Sequence, residues 1–402
     1  MCVDHSRLED LGRLLGKQLE ELQEKANEMA GKVFNLSSPK QVRTVLYEEL
    51  KLDLKAGTMV GKTAGGVKST CEAVLAKLVT CHPLPAIILQ HRHLAKYKTT
   101  YVEGILGHCK KGKVFTIWDQ VAAATGRVTS VSPNLQAIPK GDLDVGIKTI
   151  NLRSPIRPTQ GFKFLAADFE QIEFRIFGHL SQDPHLGCAI REGGDIFKRL
   201  ASIWLDKVVE MVTEDDRDKT KKVVYALMYG AGKIRLAEIL SLTVMQASSI
   251  INSFYMKFSS LKSFNQKVIA TAEKNGFLTS LLGRRRYFPH ISSSTPGLRA
   301  QAQRQAFNFL IQGSAADVVK TALLRAEESL DYEKVEANLV MMIHDEMVWE
   351  VREEDIARAA KVIKESLEMT GNVMGMDGKS RKMEMKVKIC CGDNLGTLTL
   401  LE

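Results

Sequence analysis

Two apolar stretches of this 402-residue chain run into carboxylates: FKFLAADFEQIEFR (162–175) reaches Asp168, and NLVMMIHDEMVWEV (338–351) holds His344, Asp345 and Glu346 at its centre. A charge taken out of water without a partner costs several kcal/mol or more, so acids in such settings need an exposed turn or a counter-charge. The two apolar halves of the second stretch lie too close together for anything but a hairpin, which puts the three polar residues at its turn. That turn is either simply exposed and acidic, or its acids balance a divalent cation. If the two strands lie side by side, Asp168 and Asp345 come within reach of a shared pair of Mg²⁺ ions. Two such ions about 3.5–4 Å apart stabilise the attacking and leaving oxygens of a phosphoryl displacement. The acids alone suit a nuclease as well as a polymerase.

A third stretch separates those two. TEDDRDKTKKVVYALMYGAGK (213–233) is predicted as a helix, capped by Thr213 with Asp216 three residues on and ended by Gly230-Ala231-Gly232. Arg217, Lys221, Tyr225 and Tyr229 are spaced by four and form one slowly drifting stripe. Two cations followed by two aromatics suit a triphosphate, then a sugar and base. The alternative is a solvated basic face, which seldom carries two tyrosines. Lys219 and Lys222 lie off the stripe. A two-metal nuclease would leave this helix without a role.

The elements that position these residues follow from periodicity. Residues 7–32 place Leu8, Leu11, Leu15, Leu19, Leu22, Ala26 and Met29 at helical spacing. The heptad Leu8, Leu15, Leu22, Met29 leaves a short coiled coil open, but a helix packed on its own domain is the preferred reading. Ser37-Ser38-Pro39 starts another helix, and 54–69 is a Gly- and Lys-containing loop. Two helical patterns fill roughly 70–106. Strands are predicted at 113–120, 125–132, 162–168, 338–351 and 382–391, with mostly helical pattern over 171–330 and at 354–368. Strands from both ends therefore meet in one sheet around a helical insertion.

Composition is that of an ordinary soluble domain, with 45% hydrophobic and 26% charged residues. The net charge of +9 fits a polyanionic partner without requiring one. Seven scattered cysteines, none in a C-x-x-C pair, argue against a zinc ribbon and for a reducing compartment. No apolar run of membrane-spanning length and no signal-peptide core are present, so a soluble intracellular protein is expected.

Asp168, the stripe from Arg217 to Gly230, and His344-Asp345-Glu346 resemble motifs A, B and C of the family A DNA polymerases. KKVVYALMYGAGK and LAADFEQIEFRI point to the nu branch of that family. The resemblance covers essentially the whole chain: FNLSSPKQV and HRHLAKYKTTYV resemble the thumb, TGRVTSVSPNLQAIP the start of the palm, and GRRRYFP and RQAFNFLIQGSAADVVK the return from fingers to palm. It implies an α+β right-hand fold: an N-terminal helix and thumb (1–110), a first palm segment (111–190), helical fingers (191–305) and a second palm segment (306–402) with antiparallel strands.

The resemblance also implies roles. Asp168 and Asp345 would hold two Mg²⁺ ions, with Mn²⁺ able to replace them, and the carbonyl of Phe169 would complete one site. Arg217 and Lys221 would grip the triphosphate, Lys221 also protonating the pyrophosphate, and Glu346 would support the metal site. Tyr225 would stack on the incoming nucleotide, and Tyr229 would hold the template-base position in the open state. Glu173 would exclude a ribose 2′-hydroxyl with Tyr229 as its hydrogen-bond partner, and Gln171 joins the nucleotide-binding set. Arg127, Asn308 and Gln312 would read minor-groove acceptors common to all base pairs, and His344 would place the primer terminus. Lys96, Lys98, Arg284, Arg285 and Arg286 would meet phosphates, with Asn134, Gln136 and Arg304 also on DNA.

Three positions depart from the family pattern. Phe169-Glu170 replaces the usual Tyr-Ser, Phe197 stands where many bacterial members have His, and Lys222 stands where a small or neutral residue is common. Glu170 is expected to point away from the metals, and Lys222 to favour certain mispairs. With about 30 residues before FNLSSP and no second acidic cluster, no proofreading exonuclease is expected in this chain. The activity implied is template-directed DNA synthesis from dNTPs on primer–template DNA, by a nuclear monomer acting in repair or translesion synthesis, with no membrane partner. A single-subunit RNA polymerase is the rival enzyme, opposed by Glu173. A catalytically dead DNA-binding scaffold is opposed by the intact Asp168, Asp345, Arg217 and Lys221.

Overall fold

The computed structural model describes residues 1–57, 60–63, 65–145, 149–374 and 380–401. They form two compact units, one of Met1–Ile117, Val131–Gln160 and Asp393–Leu398, the other of Trp118–Ser130, Gly161–Gly392 and Thr399–Glu402.

In the first unit, α1 (His5–Ala30) starts at Asp4, whose side chain accepts from the Arg7 N–H, and stops at Gly31 in the left-handed region. Its apolar stripe of Leu8, Leu11, Leu15, Leu22 and Ala26 is buried, and α1 packs on α2 (Leu84–Lys96). The heptad is thus absorbed by its own unit, while Met29 is exposed. Ser38 and Pro39 open the next helix as expected. Of the loop at 54–69, residues 58, 59 and 64 lie outside the described residues.

The second unit is built on an antiparallel sheet of β1 (Phe162–Phe169), β2 (Ala337–Ile343), β3 (Glu346–Arg352), β4 (Val387–Gly392) and β5 (Thr399–Leu400), in the order β2-β3-β1-β4-β5. Strands from the middle and the end of the chain do meet around a helical insertion. That insertion and the segments joining it to the sheet include α3 (Ile172–Ser181), α4 (Ile196–Leu205), α5 (Glu214–Met228) and α6 (Ser314–Tyr332), with α7 (Ile356–Glu368) following β3.

Register fixes which residues share a face. In β1, Leu165, Ala167 and Phe169 join Met347, Trp349, Val351 and Ile389 in the buried core. The opposite parity presents Asp168, Glu346 and Lys388 on the other face. Trp349 is fully buried, and its indole N–H donates to Glu327 of α6 at 2.6 Å.

The two compact units group the chain along other lines than the thumb, palm and fingers segments. Residues 131–160, expected in the palm, belong to the first unit. There Cys2–Val3 pairs with Ile156–Arg157, and the buried Arg153 guanidinium donates to the Ile138 carbonyl at 2.9 and 3.1 Å. Residues expected as fingers and second palm share one core, joining Leu200, Val224, Phe264, Phe307, Val319 and Trp349. Two expected strands are broken: 113–120 into Lys113–Val114 and Ile117–Asp119, and 382–391 into Ser380–Lys382 and Val387–Gly392. The second break occurs where Met383 donates to the Gly371 carbonyl at 2.6 Å. A Cβ on Gly371 would lie 1.9 Å from the Met383 oxygen, so only glycine allows that approach.

Replacing Trp349 with Ala should lower unfolding free energy by about 3–5 kcal/mol, since it empties the centre of this core. Urea unfolding of the variant against the native chain measures it.

Candidate active site

The expected acids converge by backbone pairing. Asp168 at the end of β1 stands directly opposite Glu346 in β3, and direct antiparallel partners put their side chains on one face about 4.5–5.5 Å apart at Cβ. Ile343 pairs with Glu346, leaving His344 and Asp345 as a two-residue turn. His344 adopts φ 59°, and Gln171, just beyond the Asp168 strand, adopts φ 53°. Left-handed backbone is uncommon at non-glycine residues, and these two flank the acids, while Lys51, Asp206 and others adopt it elsewhere.

Burial pushes the Asp345 carboxyl above the ordinary carboxylate range. A backbone hydrogen bond, Arg127 and His344 oppose that rise, and Glu173 adds to it. Burial likewise raises the Tyr225 phenol, and Glu173 and Asp345 raise it further. Asp345 and Tyr225 thus each feel the charge of Glu173, and Asp345 also that of Arg127.

Glu173 lies in the first turn of α3. One of its oxygens pairs with Arg127 and the other accepts the Tyr229 hydroxyl, the hydrogen bond expected for this pair. Arg127, expected to read the minor groove, is held by this carboxylate in the chain alone. Burial, then the Glu173 contact, pushes the Tyr229 phenol strongly up.

Helix α5 forms as its ends predict. Thr213 and Asp216 make a reciprocal capping box, and Tyr229 closes the helix before Gly230 at φ 70°. The stripe is present. Tyr225 and Tyr229 stack with centroids 6.1 Å apart, and Tyr225 meets Phe197 of α4 at 5.5 Å. Lys221 places its Nζ 5.9 Å over the Phe197 ring, so the residue found in place of histidine receives the lysine. Arg217 is paired with Asp195 and Asp218. Burial works to raise Asp195, but the Arg217 contact and the Lys198 N–H outweigh it and hold the carboxyl below its usual range. A cleft of about 1080 Å³ beside α5 is lined by Lys221, Lys222, Tyr225, Tyr229, Lys233 and Arg304 among others.

The other expected DNA-contacting residues make the following contacts within the chain. Arg284 donates through Nε to Asp317 at 2.9 Å and through one terminal nitrogen to the carbonyls of Thr125 at 2.6 Å and Gly313 at 3.0 Å. It passes so close under Gly126 that a Cβ there would lie 2.6 Å from the guanidinium carbon. Its fork thus ties the Thr125 turn to the helical turn Phe309–Gly313. Arg285 stacks over Phe277 at 5.0 Å, and Arg286 over Phe288 at 5.3 Å, where burial lowers its guanidinium. Asn308 keeps a buried, unpartnered amide oxygen, as does Gln171, and Gln312 is half-buried. Lys96, Lys98, Asn134 and Gln136 belong to the first unit. Lys98 pairs there with Glu103 at 3.3 Å, and Asn134 caps a short turn by accepting from the Ala137 N–H at 3.2 Å.

Two residues had no role in the sequence reading. Asp195 was visible as a cap in GGDIFKRL, but not as the partner of Arg217. Lys388, opposite Asp168 on the β4 side, could have been placed only by the parity of VKICC.

Among the described residues, no group of three or more His, Cys, Asp or Glu side chains is gathered to hold a metal. The donor set at the β1–β3 end nevertheless suits hard divalent ions, since Asp168, Asp345 and the Phe169 carbonyl offer oxygen alone.

A helix-flanked antiparallel sheet with acids at the β1–β3 end, and a basic-aromatic helix beside it, has the architecture of the right-hand polymerase fold. The chain belongs to DNA polymerase family A, whose sequence model matches residues 5–397. DNA polymerase I of Geobacillus stearothermophilus is 37% identical over 91% of this chain and 41% of its own length. The Thermus thermophilus thermostable DNA polymerase I is 33% identical over 91% and 43%. The chain thus spans less than half of these relatives. Among solved structures, the POL domain of Pol1 from M. smegmatis, in complex with DNA primer-template and dNTP, aligns with a TM-score of 0.88 and 30% identity over 98% of this chain and 67% of that one.

Exchanging Glu173 for Gln removes a negative charge beside the Tyr229 phenol and should bring its titration down toward the ordinary tyrosine range, burial keeping it above. Phenolate absorbance, differenced against Tyr229→Phe in each background, reads that shift. An unmoved titration would mean that the contact does not form in solution.

Proposed function

We propose that this chain is a template-directed DNA polymerase that adds deoxynucleotides to a primer 3′-hydroxyl. The observation that carries the reading is the β1–β3 register, which sets Asp168 opposite Glu346 and puts Asp345 in the turn beside them. Asp168, Asp345 and the Phe169 carbonyl would hold divalent ions, Mg²⁺ by preference, which when bound supply Lewis-acid activation and offset phosphate charge.

The protein's own groups do the rest. Lys221 makes no ion pair among the described residues and is the cation on α5 best disposed to meet a triphosphate and to give a proton to pyrophosphate. Arg217 must exchange Asp195 for phosphate. Tyr225 offers a flat face for the incoming sugar and base. Glu173, fixed between Arg127 and Tyr229, occupies the space of a ribose 2′-hydroxyl and selects deoxynucleotides. Closure of α5 over the nucleotide would require Tyr229 to leave this contact. The structural relative's primer-template DNA and dNTP support this choice of substrates.

A role in repair or translesion synthesis, and a nuclear setting, rest on likeness to the nu branch; the relatives named above are bacterial. Cell fractionation tests the setting, and a primer ending opposite a damaged base tests the role.

The purified chain should extend a primed template one dNTP at a time. Asp345→Ala should lower the rate by about 10³-fold or more without loss of fold. Glu173→Ala should narrow the preference for deoxy- over ribonucleotides. Normal turnover in Asp345→Ala would sink the assignment.

A further inference from the structure

The acidic end of the sheet holds a carboxylate, Glu170, to which the divalent-ion reading gives no role. Glu170 follows the Asp168-Phe169 pair, and its backbone is fixed from both sides. Its N–H donates to the Lys386 carbonyl at 2.8 Å, and its carbonyl accepts from Arg175 Nε at 2.8 Å. Arg175 is itself buried and reaches the Glu384 carbonyl at 2.8 Å, so the turn after Asp168 is strapped to the approach of β4. The Glu170 main chain therefore cannot carry its side chain far from the neighbouring Asp168. Something must decide where that carboxylate goes.

Lys388 stands at that point. It is the direct partner of Asp168 on the β4 side, as Glu346 is on the β3 side, so all three share one face. Its Nζ lies 3.5 Å from Glu170 Oε1. We propose that Lys388 is a positioning residue that engages the Glu170 carboxylate in an ion pair and so keeps it from joining the ligand set, leaving the divalent site to Asp168, Asp345 and the Phe169 carbonyl. This rests on the metal-site reading given above and goes beyond it by assigning the extra acid and its counter-charge.

The physical argument is one of geometry and sign. The pair is partly exposed and contributes little to stability. Its effect is instead on the field at the acidic end. With the ammonium in place, Glu170 adds little net charge there. Without it, the carboxylate still faces the buried Arg175, whose guanidinium is spent on the Glu170 and Glu384 carbonyls, and can swing toward a bound cation and join the ligand set. Ions then bind more tightly, with an extra ligand.

The test reads metal binding without DNA or nucleotide. Free Mn²⁺ is quantified by electron paramagnetic resonance as it is titrated into the full chain. Asp345→Asn serves as control and should weaken the binding; if it does not, the metal-site reading itself fails. Given that control, Lys388→Gln should tighten Mn²⁺ binding about fivefold. In a Glu170→Gln background, the same change should leave affinity within about twofold. Lys388→Arg, which keeps the counter-charge, should bind as the native chain does. An equal effect of Lys388→Gln in both backgrounds would show that the lysine acts as general charge, and no effect in either would show that it does not act on the site. Either result overturns the proposal.

Discussion

The pairing of β1 with β3 is the constraint on which the site depends. Asp168 faces Glu346 because seven consecutive residue pairs, from Glu346–Asp168 to Arg352–Phe162, hold one register. A slip of one residue would turn the acids into the core and expose Trp349, Leu165 and Met347, so burial of the apolar face enforces placement of the acidic one. The acids themselves oppose this arrangement, since like charges gathered at half-buried positions repel. The fold overcomes that repulsion with apolar area on the far side of the same strands. The hairpin turn then delivers Asp345 one residue beyond the pair, through a left-handed His344.

Glu173 is the second organising point. Through one carboxylate it ties together Arg127, from the segment before β1, and Tyr229, from the end of α5. The aromatic run Phe197–Tyr225–Tyr229 is thereby anchored to the element that follows the Asp168 strand. A buried phenol bonded to a carboxylate stays protonated, so the contact persists at any physiological pH and yields only to competition. Arg127 keeps the Glu173 charge matched if Tyr229 leaves. The same carboxylate can therefore serve the closed nucleotide site without becoming an unpaired buried ion.

Most of this was legible in the sequence because it is local. Caps, turn residues and helical spacing pointed to α5 between Thr213 and Gly230, and two apolar runs around a central polar triplet to the hairpin over 338–351. What was not legible depends on long-range partners. Arg284 reads as one of three exposed cations in GRRRYFP, yet it clamps Thr125 and Gly313 from a distant part of the chain. The break between 382 and 387 follows from close approach to Gly371, which no local pattern announces. The grouping of 131–160 with the first unit is of the same kind: strand pairs between Cys2–Val3 and Ile156–Arg157 join distant segments, and single-strand periodicity carries no partner information.

The two cations of the α5 stripe illustrate how partners change meaning. Spacing makes Arg217 and Lys221 equivalent, but their surroundings do not. Arg217 is already matched by Asp195, an oxygen acceptor of the same sign as phosphate. When a triphosphate arrives, one charge-assisted bond is exchanged for another, and only the difference counts toward binding. Lys221 rests over the Phe197 ring, a contact worth roughly 0.5–1 kcal/mol at an exposed site, and gives up little to meet an anion. In the proposed reaction the lysine therefore contributes the larger share of net triphosphate attraction. The arginine contributes chiefly direction, because Asp195 at the head of α4 keeps its guanidinium aligned along the stripe before the nucleotide is there.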